Sequence, residues 1–525
     1  MEFKHLSHIE KATKPGQNEL FRFGIALIFI VGVMLFTAIR GDGHGSLLLV
    51  IAAMIGGYMA MNIGANDVAN NVGPAVGSKA LTLVGALIIA AIFEAAGAMI
   101  AGGDVVETIR SGIIDQSQLT QGENFVWLML AALLAGALWL NIATAMGAPV
   151  STTHSIVGAV LGAGVAASGF SVANWSNIGS IVASWIISPV LGGVVAAAFL
   201  YLIKRSITYQ QDMIAAARRM VPILVAAMAW AFGTYLLLKG VAKVWRVDFI
   251  TATGLGLLFA IIVYAFLRPH LARKQLDGVT HKQSVNQLFT APLIFAAALL
   301  SFAHGANDVA NAVGPLAAIV DALGQGEVGG KAPIPLWVMA IGAIGIVVGL
   351  ALFGPKLIRT VGQEITELDQ MRAYSIAMSA SITVILASQL GLPVSSTHIA
   401  VGGVFGVGFL REYLKSNYAR MVDEIKAHHA EGDQAAIDVF MAKFKLASIE
   451  EKGIMLHELK MQAKQELDPA HFSKLERKGL RRIYKQELVK RSHLYRIAAA
   501  WVITVPASAV MAALLYFMIR GMMLQ

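Results

Sequence analysis

The chain has 525 residues, of which 57% are hydrophobic and only 14% are charged, and its formal net charge is +9. A soluble protein of this length needs far more polar surface, so the composition excludes that class and indicates an integral membrane protein. The positive charge is concentrated in loops that flank apolar segments, and we therefore expect no nucleic-acid partner. The chain contains no cysteine, which excludes disulfides and thiol chemistry.

Apolar segments that can cross a bilayer recur along the chain, and the alternating pattern of a membrane β-barrel is absent. We predict spans near 24–40, 46–62, 80–101, 125–145, 150–168, 177–203, 220–238, 248–267, 288–303, 336–353, 373–390, 395–410 and 497–519. The segments 150–168 and 395–410 are short, which is typical of re-entrant half-helices. The expected fold class is therefore all-α, a polytopic membrane protein.

Basic loops set the expected orientation. The N-terminal segment and residues 204–219, 268–287 and 411–496 are rich in Lys and Arg. Because such loops stay in the cytoplasm, we expect a multi-pass protein of a bacterial cytoplasmic membrane. Its N-terminus is then cytoplasmic and its C-terminus outside.

Two polar motifs occur twice. Residues 64–74 read GANDVANNVGP and residues 305–315 read GANDVANAVGP, while residues 149–154 read PVSTTH and residues 393–398 read PVSSTH. The predicted span before the first copy runs inward and the span before the second copy runs outward. The sequence therefore predicts two inverted-topology repeats with interrupted helices, which is typical of secondary transporters with a site at the midplane.

A third match supports the inverted repeats. Trp185, Ser188 and Pro189 in the span 177–203 correspond to Trp501, Thr504 and Pro506 in the last span. The repeats and the loops between them predict the domain organisation of the chain. The predicted segments are 1–45, a cytoplasmic segment and an extra helix; 46–203, repeat one; 204–284, connecting helices; 285–410, the first part of repeat two; 411–496, a charged helical cytoplasmic insertion; and 497–525, the last helix of repeat two.

The PVSTTH and PVSSTH motifs predict an anion site. Proline ends a preceding helix, and Ser or Thr caps the next one, so hydroxyls and free backbone N–H groups face forward. Two such helix N-termini would form an oxyanion cradle without an arginine. A single copy is better explained as a helix cap, but two copies beside acidic motifs favour a site. The candidate anion-binding residues of these motifs are Ser151, Thr152, Thr153, Ser395, Ser396 and Thr397.

The acidic motifs predict a cation site. Asp67 with Asn70 or Asn71, and Asp308 with Asn311, place oxygen ligands about one helical turn apart. Hard cations such as Na⁺ take such ligands, and a buried carboxyl can carry H⁺ instead. Helix packing explains the glycines and alanines of the motif but not its acids. We also expect the prolines Pro74 and Pro315 to break their helices.

Three further residues have open roles. Glu94 lies in an apolar span whose counterpart, 336–353, has no acid, so the two repeats are not chemically equivalent. Glu94 is a candidate coupling residue, or else a structural one. His154 and His398 are interpreted as cap or supporting residues. A hydrolase using Ser151, His154 and Asp67 is conceivable, but a duplicated triad has no evident use.

These motifs resemble the inorganic phosphate transporter family, often called PiT, over both repeats. Residues 106–114, VETIRSGII, also look like its first repeat. The resemblance implies symport of inorganic phosphate with sodium or protons by a non-enzymatic transporter that needs no cofactor. It implies site roles for Asn66, Asp67 and residues 151–153, for Asn307, Asp308 and residues 395–397, and for Glu94. The helix 24–40 and the insertion 411–496 depart from the family's minimal pattern.

Energetics favour symport, because moving one negative charge inward costs about 2.3 kcal/mol per 100 mV of inside-negative potential. A sulfate symporter of the same fold and an anion channel remain alternatives. The expected partners are phosphate and the lipid bilayer, with a homodimer as a further expectation.

Overall fold

The computed structural model describes residues 2–40, 46–119, 122–145, 150–240, 247–276, 281–325, 333–364, 369–415 and 491–523, with a few residues between 439 and 458. This part of the chain is almost entirely helical and has no β-strand apart from an isolated bridge between Ile114 and Ala173. The predicted all-α class is confirmed.

The helices of the described residues, in chain order, have the following bounds. They are α1 Glu2–Arg40, α2 Ser46–Asn66, α3 Val68–Gly77, α4 Leu83–Ala101, α5 Gly103–Ser111, α6 Gly122–Ala145, α7 Thr152–Ser168, α8 Trp175–Ile203, α9 Met213–Lys239, α10 Phe249–Arg273, α11 His281–Leu288, α12 Thr290–Asp308, α13 Ala310–Gln325, α14 Leu336–Glu364, α15 Gln370–Gln389, α16 Ser396–Lys415 and α17 Arg491–Met523.

Eleven helical segments of the described residues are long and apolar enough to cross a membrane. Helix α7 has only 17 residues, which at 1.5 Å per residue is short for a span. Helix α1 begins far before the predicted residue 24, although only Glu19–Arg40 has the length and hydropathy of a span. The protein is therefore a polytopic helical membrane protein, as the composition predicts.

The chain forms two compact units, one of Met1–Val404 with Tyr495–Gln525 and one of Phe405–Leu494. All the repeated motifs lie in the first unit. Most of the second unit, including the basic residues between 474 and 490 of the predicted insertion, lies outside the described residues.

Helices of one repeat pack closely against helices of the other. A side chain at Gly64 of α2 would overlap the backbone of Ile346 in α14, and one at Gly305 of α12 would overlap the backbone of Glu94 in α4. Because Gly64 and Gly305 hold the same place in the two motifs, the two contacts correspond. Both glycines allow helix axes to approach more closely than a Cβ would permit.

A second pair of contacts follows the same rule. Gly402 of α16 lies against the backbone of Pro189 in α8, and Gly158 of α7 lies against Val505 and Ser508 in α17. The α8 and α17 segments are those matched in the sequence through Pro189 and Pro506. In both pairs of contacts, helices of one repeat therefore pack on helices of the other.

The two acidic motifs interrupt their helices at one residue. Helix α2 ends at Asn66 and α3 begins at Val68, while α12 ends at Asp308 and α13 begins at Ala310. The expectation that Pro74 and Pro315 break the helices is wrong, since both prolines lie inside α3 and α13. A proline's fixed φ suits a helix, and its main cost is one missing hydrogen bond four residues earlier.

The interlocked packing makes a test of the glycines possible. Gly64→Ala and Gly305→Ala should each lower the free energy of unfolding by about 1–3 kcal/mol, because the added methyl group meets backbone that cannot rotate away. Thermal unfolding of the detergent-solubilised chain measures the effect. Gly32→Ala is the matched control, because open space surrounds this exposed helical glycine. Equal stability of all three variants would contradict the packing.

Candidate functional site

Helices α7 and α16 begin with the predicted caps. The N–H of His154 donates to Oγ of Ser151 at 3.2 Å, and the N–H of His398 donates to Oγ of Ser395 at 3.3 Å. Each serine is the residue before its helix, where a side-chain oxygen satisfies an otherwise unpaired N–H. The following hydroxyls, at positions 152–153 and 396–397, are then free to point elsewhere. Pro149 lies outside the described residues.

The two helix starts contact each other. The hydroxyl of Thr153 donates to the carbonyl of Val394 at 3.0 Å, across the two repeats. The rings of His154 and His398 meet edge to face with centroids 5.0 Å apart, and the ring of Trp185 lies 3.8 Å from that of His154. The histidines are thus packed together next to the caps, which agrees with a supporting role.

Asp67 is held by hydroxyls from both repeats. Thr152 donates to its Oδ2 at 2.8 Å, and Thr397 donates to its Oδ1 at 3.3 Å. The amide of Asn66 also donates to Oδ1, at 3.1 Å. Asp67 is only 2% exposed. This buried carboxylate therefore depends on the first repeat and the second together for its hydrogen bonds.

The asparagines of the acidic motifs cross between the repeats in the same way. Asn70 donates to the hydroxyl of Thr397 at 2.9 Å. Asn311 donates to the hydroxyls of Thr152 at 3.1 Å and Thr153 at 3.2 Å. Each motif asparagine thus reaches the hydroxyl-rich helix start of the other repeat.

The second acid has a hydroxyl partner within its own repeat. Ser396 donates to Oδ2 of Asp308 at 3.3 Å. Together with the contacts of Asp67, this bond places both acids and both hydroxyl motifs in one buried cluster, which we call the polar cluster. Its members are Asp67, Asn70, Thr152, Thr153, Asp308, Asn311, Ser396 and Thr397.

The first asparagines of the motifs hold the loops before α7 and α16. The amide of Asn307 donates to Oγ of Ser388 and to the carbonyl of Leu392, and its oxygen accepts from the N–H of Val394. Asn66 likewise donates to the carbonyl of Val150 at 3.3 Å. The side-chain amide of Asn307 therefore forms its hydrogen bonds with other residues of the protein, and these bonds position the start of α16.

His304 is a member of the site that the sequence reasoning missed. Its Nδ1 lies 2.7 Å from Oε2 of Glu94, and its Nε2 lies 2.9 Å from Oδ2 of Asp308. Glu94 also accepts from the amide of Asn71 at 2.8 Å. Glu94 is thereby connected to Asp308 through the histidine. The available signal was the spacing, since residues four apart share a helix face and His304 precedes Asp308 by four.

The connection exists at only one of the two corresponding contacts between the repeats. Gly64 lies against Ile346 and Gly305 lies against Glu94, so Ile346 holds the position that corresponds to Glu94. Aligning the two motifs pairs Ile63 with His304 and Ala312 with Asn71. Ile63 and Ile346 are fully buried. Three polar residues that bond to one another are thus matched by three apolar residues. The sequence predicts a chemical difference between the two repeats from Glu94 alone, and the structure extends this difference to the residues that Glu94 contacts, His304 and Asn71.

The cluster contains oxygen atoms suited to a cation. Oδ1 of Asp308 and Oδ1 of Asn311 are buried and have no hydrogen-bond partner among the described residues. Ligand atoms of Asp67, His304 and Asp308 lie within 4.8 Å of one another. Buried acceptors without donors are costly, and a hard cation satisfies such oxygens. The residues present therefore fit a bound cation.

Comparison with known proteins identifies the family. The model of the phosphate transporter family matches residues 63–512, which include every part of the polar cluster. The chain belongs to this family. It is a membrane-embedded transporter of phosphate, not an enzyme.

Individual relatives agree with this assignment. A Helicobacter pylori (strain J99) protein named "Putative phosphate permease" is 50% identical over 524 residues, which are 98% of each chain. A Pyrococcus abyssi protein of the same description is 39% identical over 69% of this chain and 89% of its own. A solved structure named "The sodium-dependent phosphate transporter" superposes with a TM-score of 0.73 at 30% identity, covering 91% of this chain and 100% of its own.

The contact between Glu94 and His304 can be tested by replacing each residue with isoleucine, the residue found at the corresponding positions 346 and 63. Glu94→Ile or His304→Ile alone should cost about 3–5 kcal/mol of stability, because each removes one member of a buried pair of ionisable groups. The double variant E94I/H304I should recover part of that loss, with a coupling energy of about 2 kcal/mol. Unfolding midpoints of the four proteins give this cycle. Strictly additive losses would show that the two residues do not interact.

Proposed function

We propose that the chain imports inorganic phosphate by symport with sodium across the cytoplasmic membrane, using the polar cluster as its transport site. The observation that carries the proposal is the mutual bonding of both acidic motifs and both hydroxyl motifs within one dehydrated cluster. Phosphate binds at the hydroxyl side and the coupling cation at the acidic side, so that each completes the site of the other.

The anion is held by hydroxyls and helix N-termini. The residues that bind it are Ser151, Thr152, Thr153, Ser395, Ser396 and Thr397, with Asn66 and Asn307 positioning the two loops. Among the described residues the only buried arginine or lysine is Arg110, and it pairs with Asp321 at 2.7 Å. Neutralisation of phosphate therefore depends on the backbone N–H groups at the starts of α7 and α16 and on the accompanying cation.

Sodium is favoured over a proton by the ligand atoms. The buried oxygens Oδ1 of Asp308 and Oδ1 of Asn311, which have no donor among the described residues, suit an ion that takes several oxygens, whereas a proton satisfies one of them. The 30% identical solved relative is named as sodium-dependent, which supports the same coupling ion. We assign the cation to Asp67, Asn70, Asp308 and Asn311. Glu94 acts through His304, which orients Asp308.

Transport follows from the interlocked repeats. In the inverted arrangement that the sequence predicts, one bundle rocks against the other around the midplane site and exposes it to each side in turn. The cation offsets the cost of moving the anion against the membrane potential. A cytoplasmic N-terminus, an outside C-terminus and a homodimer remain predictions of the same proposal.

The coupling ion is tested by uptake of radiolabelled phosphate into vesicles containing the purified chain. An inward sodium gradient should drive accumulation, and a pH gradient alone should not. Asp308→Asn should raise the sodium concentration for half-maximal uptake by about tenfold, since a lost ligand charge weakens the site by about 1.4 kcal/mol or more. Asp104→Asn, an acid outside the cluster that pairs with Lys239, is the control. Accumulation driven by pH alone would refute sodium coupling.

The anion side is tested with hydroxyl deletions. Ser396→Ala and Thr152→Val should each raise the phosphate KM by about tenfold or more, because a hydrogen bond to a charged group contributes about 1.5–3 kcal/mol. Ser375→Ala is the matched control, since this buried hydroxyl donates to the carbonyl of Met371 within α15. Sulfate and arsenate are included as competitors. Equal KM values for all three variants would exclude these hydroxyls as phosphate ligands.

A further inference from the structure

Helices α9 and α10, which lie outside the repeated segments, pack on each other over part of their length. The indole N–H of Trp230 donates to the carbonyl of Thr253 at 3.0 Å. A side chain at Gly256 would collide with Thr234, so the two helices are in close contact there. Toward residues 211–223 and 264–272 an open groove lies between them instead.

The groove has a volume of about 960 Å³ and a strongly basic lining. Three arginines and a tyrosine contribute to it: Arg218, Arg219, Arg268 and Tyr264. The guanidinium of Arg268 lies 5.9 Å from the centre of the Tyr264 ring. This groove is far larger than one inorganic phosphate requires, which points to a bulkier anion.

The positive charge of the groove is only partly offset by the described part of the protein, because three arginines line it with one acid. The one acid among its lining residues, Asp212, caps α9 by accepting from the N–H of Ala215 at 2.9 Å. Arg218 donates to the carbonyl of Lys274 at 3.0 Å, which leaves its charge unbalanced. Arg219 and Arg268 form no ion pair with a carboxylate of the described residues. Guanidinium groups so arranged bind phosphate oxygens well.

An apolar surface continues from the basic end. Met213, Ile214 and Ile223 also line the groove, and Ile223 is 43% exposed. On the same face of α10 as Tyr264 and Arg268, Leu257 is 47% and Ile261 is 56% exposed. In a span these side chains face lipid tails. A ligand that satisfies the whole groove therefore has an anionic head and an apolar tail.

We propose that this groove binds an anionic phospholipid, with its phosphodiester on Arg219 and Arg268 and its acyl chain along α10. The lipid class follows from the basic loops at 204–219 and 268–287, which the positive-inside rule assigns to the cytoplasmic face. Basic pockets between membrane helices on that face suit anionic headgroups. The site is separate from the polar cluster and does not depend on the proposed transport mechanism.

Native mass spectrometry of the purified full-length chain tests the site. The protein is titrated with phosphatidylglycerol, with phosphatidylcholine and with inorganic phosphate. Wild-type protein should retain phosphatidylglycerol in preference to phosphatidylcholine. The double variant R219Q/R268Q should bind it about thirtyfold more weakly, since each arginine near a lipid headgroup contributes about fivefold in affinity.

A second double variant separates the groove from general charge. R205Q/R273Q removes the same net charge from basic residues that do not line the groove, and it should bind phosphatidylglycerol as the wild type does. Equal weakening of both double variants would overturn the proposal in favour of nonspecific attraction. Displacement of the lipid by millimolar inorganic phosphate would also overturn it, because the groove would then recognise free phosphate.

Discussion

A carboxylate buried in an apolar protein is costly unless it is hydrogen-bonded, and Asp67 accepts hydrogen bonds from hydroxyls of both copies of the hydroxyl motif. Thr152 belongs to one copy and Thr397 to the other, and their oxygens lie 2.8 Å and 3.3 Å from its two carboxylate oxygens. Two broken helices and two capped helix starts must therefore meet at one place. The close glycine contacts between the repeats are what allow the helix axes to come near enough for this meeting.

The duplicated motifs do not produce two equal halves. His304 connects Glu94 to Asp308, while Ile63 and Ile346 occupy the positions that correspond to His304 and Glu94. Asp67 accepts from two threonine hydroxyls, whereas Asp308 accepts from one serine hydroxyl and contacts a histidine that is also bonded to Glu94. This difference gives a physical basis for the separate roles that we propose, phosphate among the hydroxyls and the cation near Asp308.

Much of the site could be predicted from sequence because it is repeated. The paired motifs by themselves point to Asp67, Asp308 and the hydroxyls, since duplication of costly polar residues has no packing explanation. His304 was missed because it lies outside both motifs and has no counterpart to mark it. The expectation for the prolines is wrong because a proline in a helix removes one hydrogen bond without having to end the helix, and Pro74 and Pro315 lie inside α3 and α13.

The central claim is that the two repeats form a single shared phosphate site, and binding stoichiometry tests it most directly. Equilibrium dialysis of the purified chain with radiolabelled phosphate, at saturating sodium, should give one phosphate per chain. Substitution of Thr152 and Thr153 by valine, or of Ser396 and Thr397 by alanine and valine, should then remove all of the binding. Two phosphates per chain, or loss of only half of the binding with either variant, would show that each repeat has its own site.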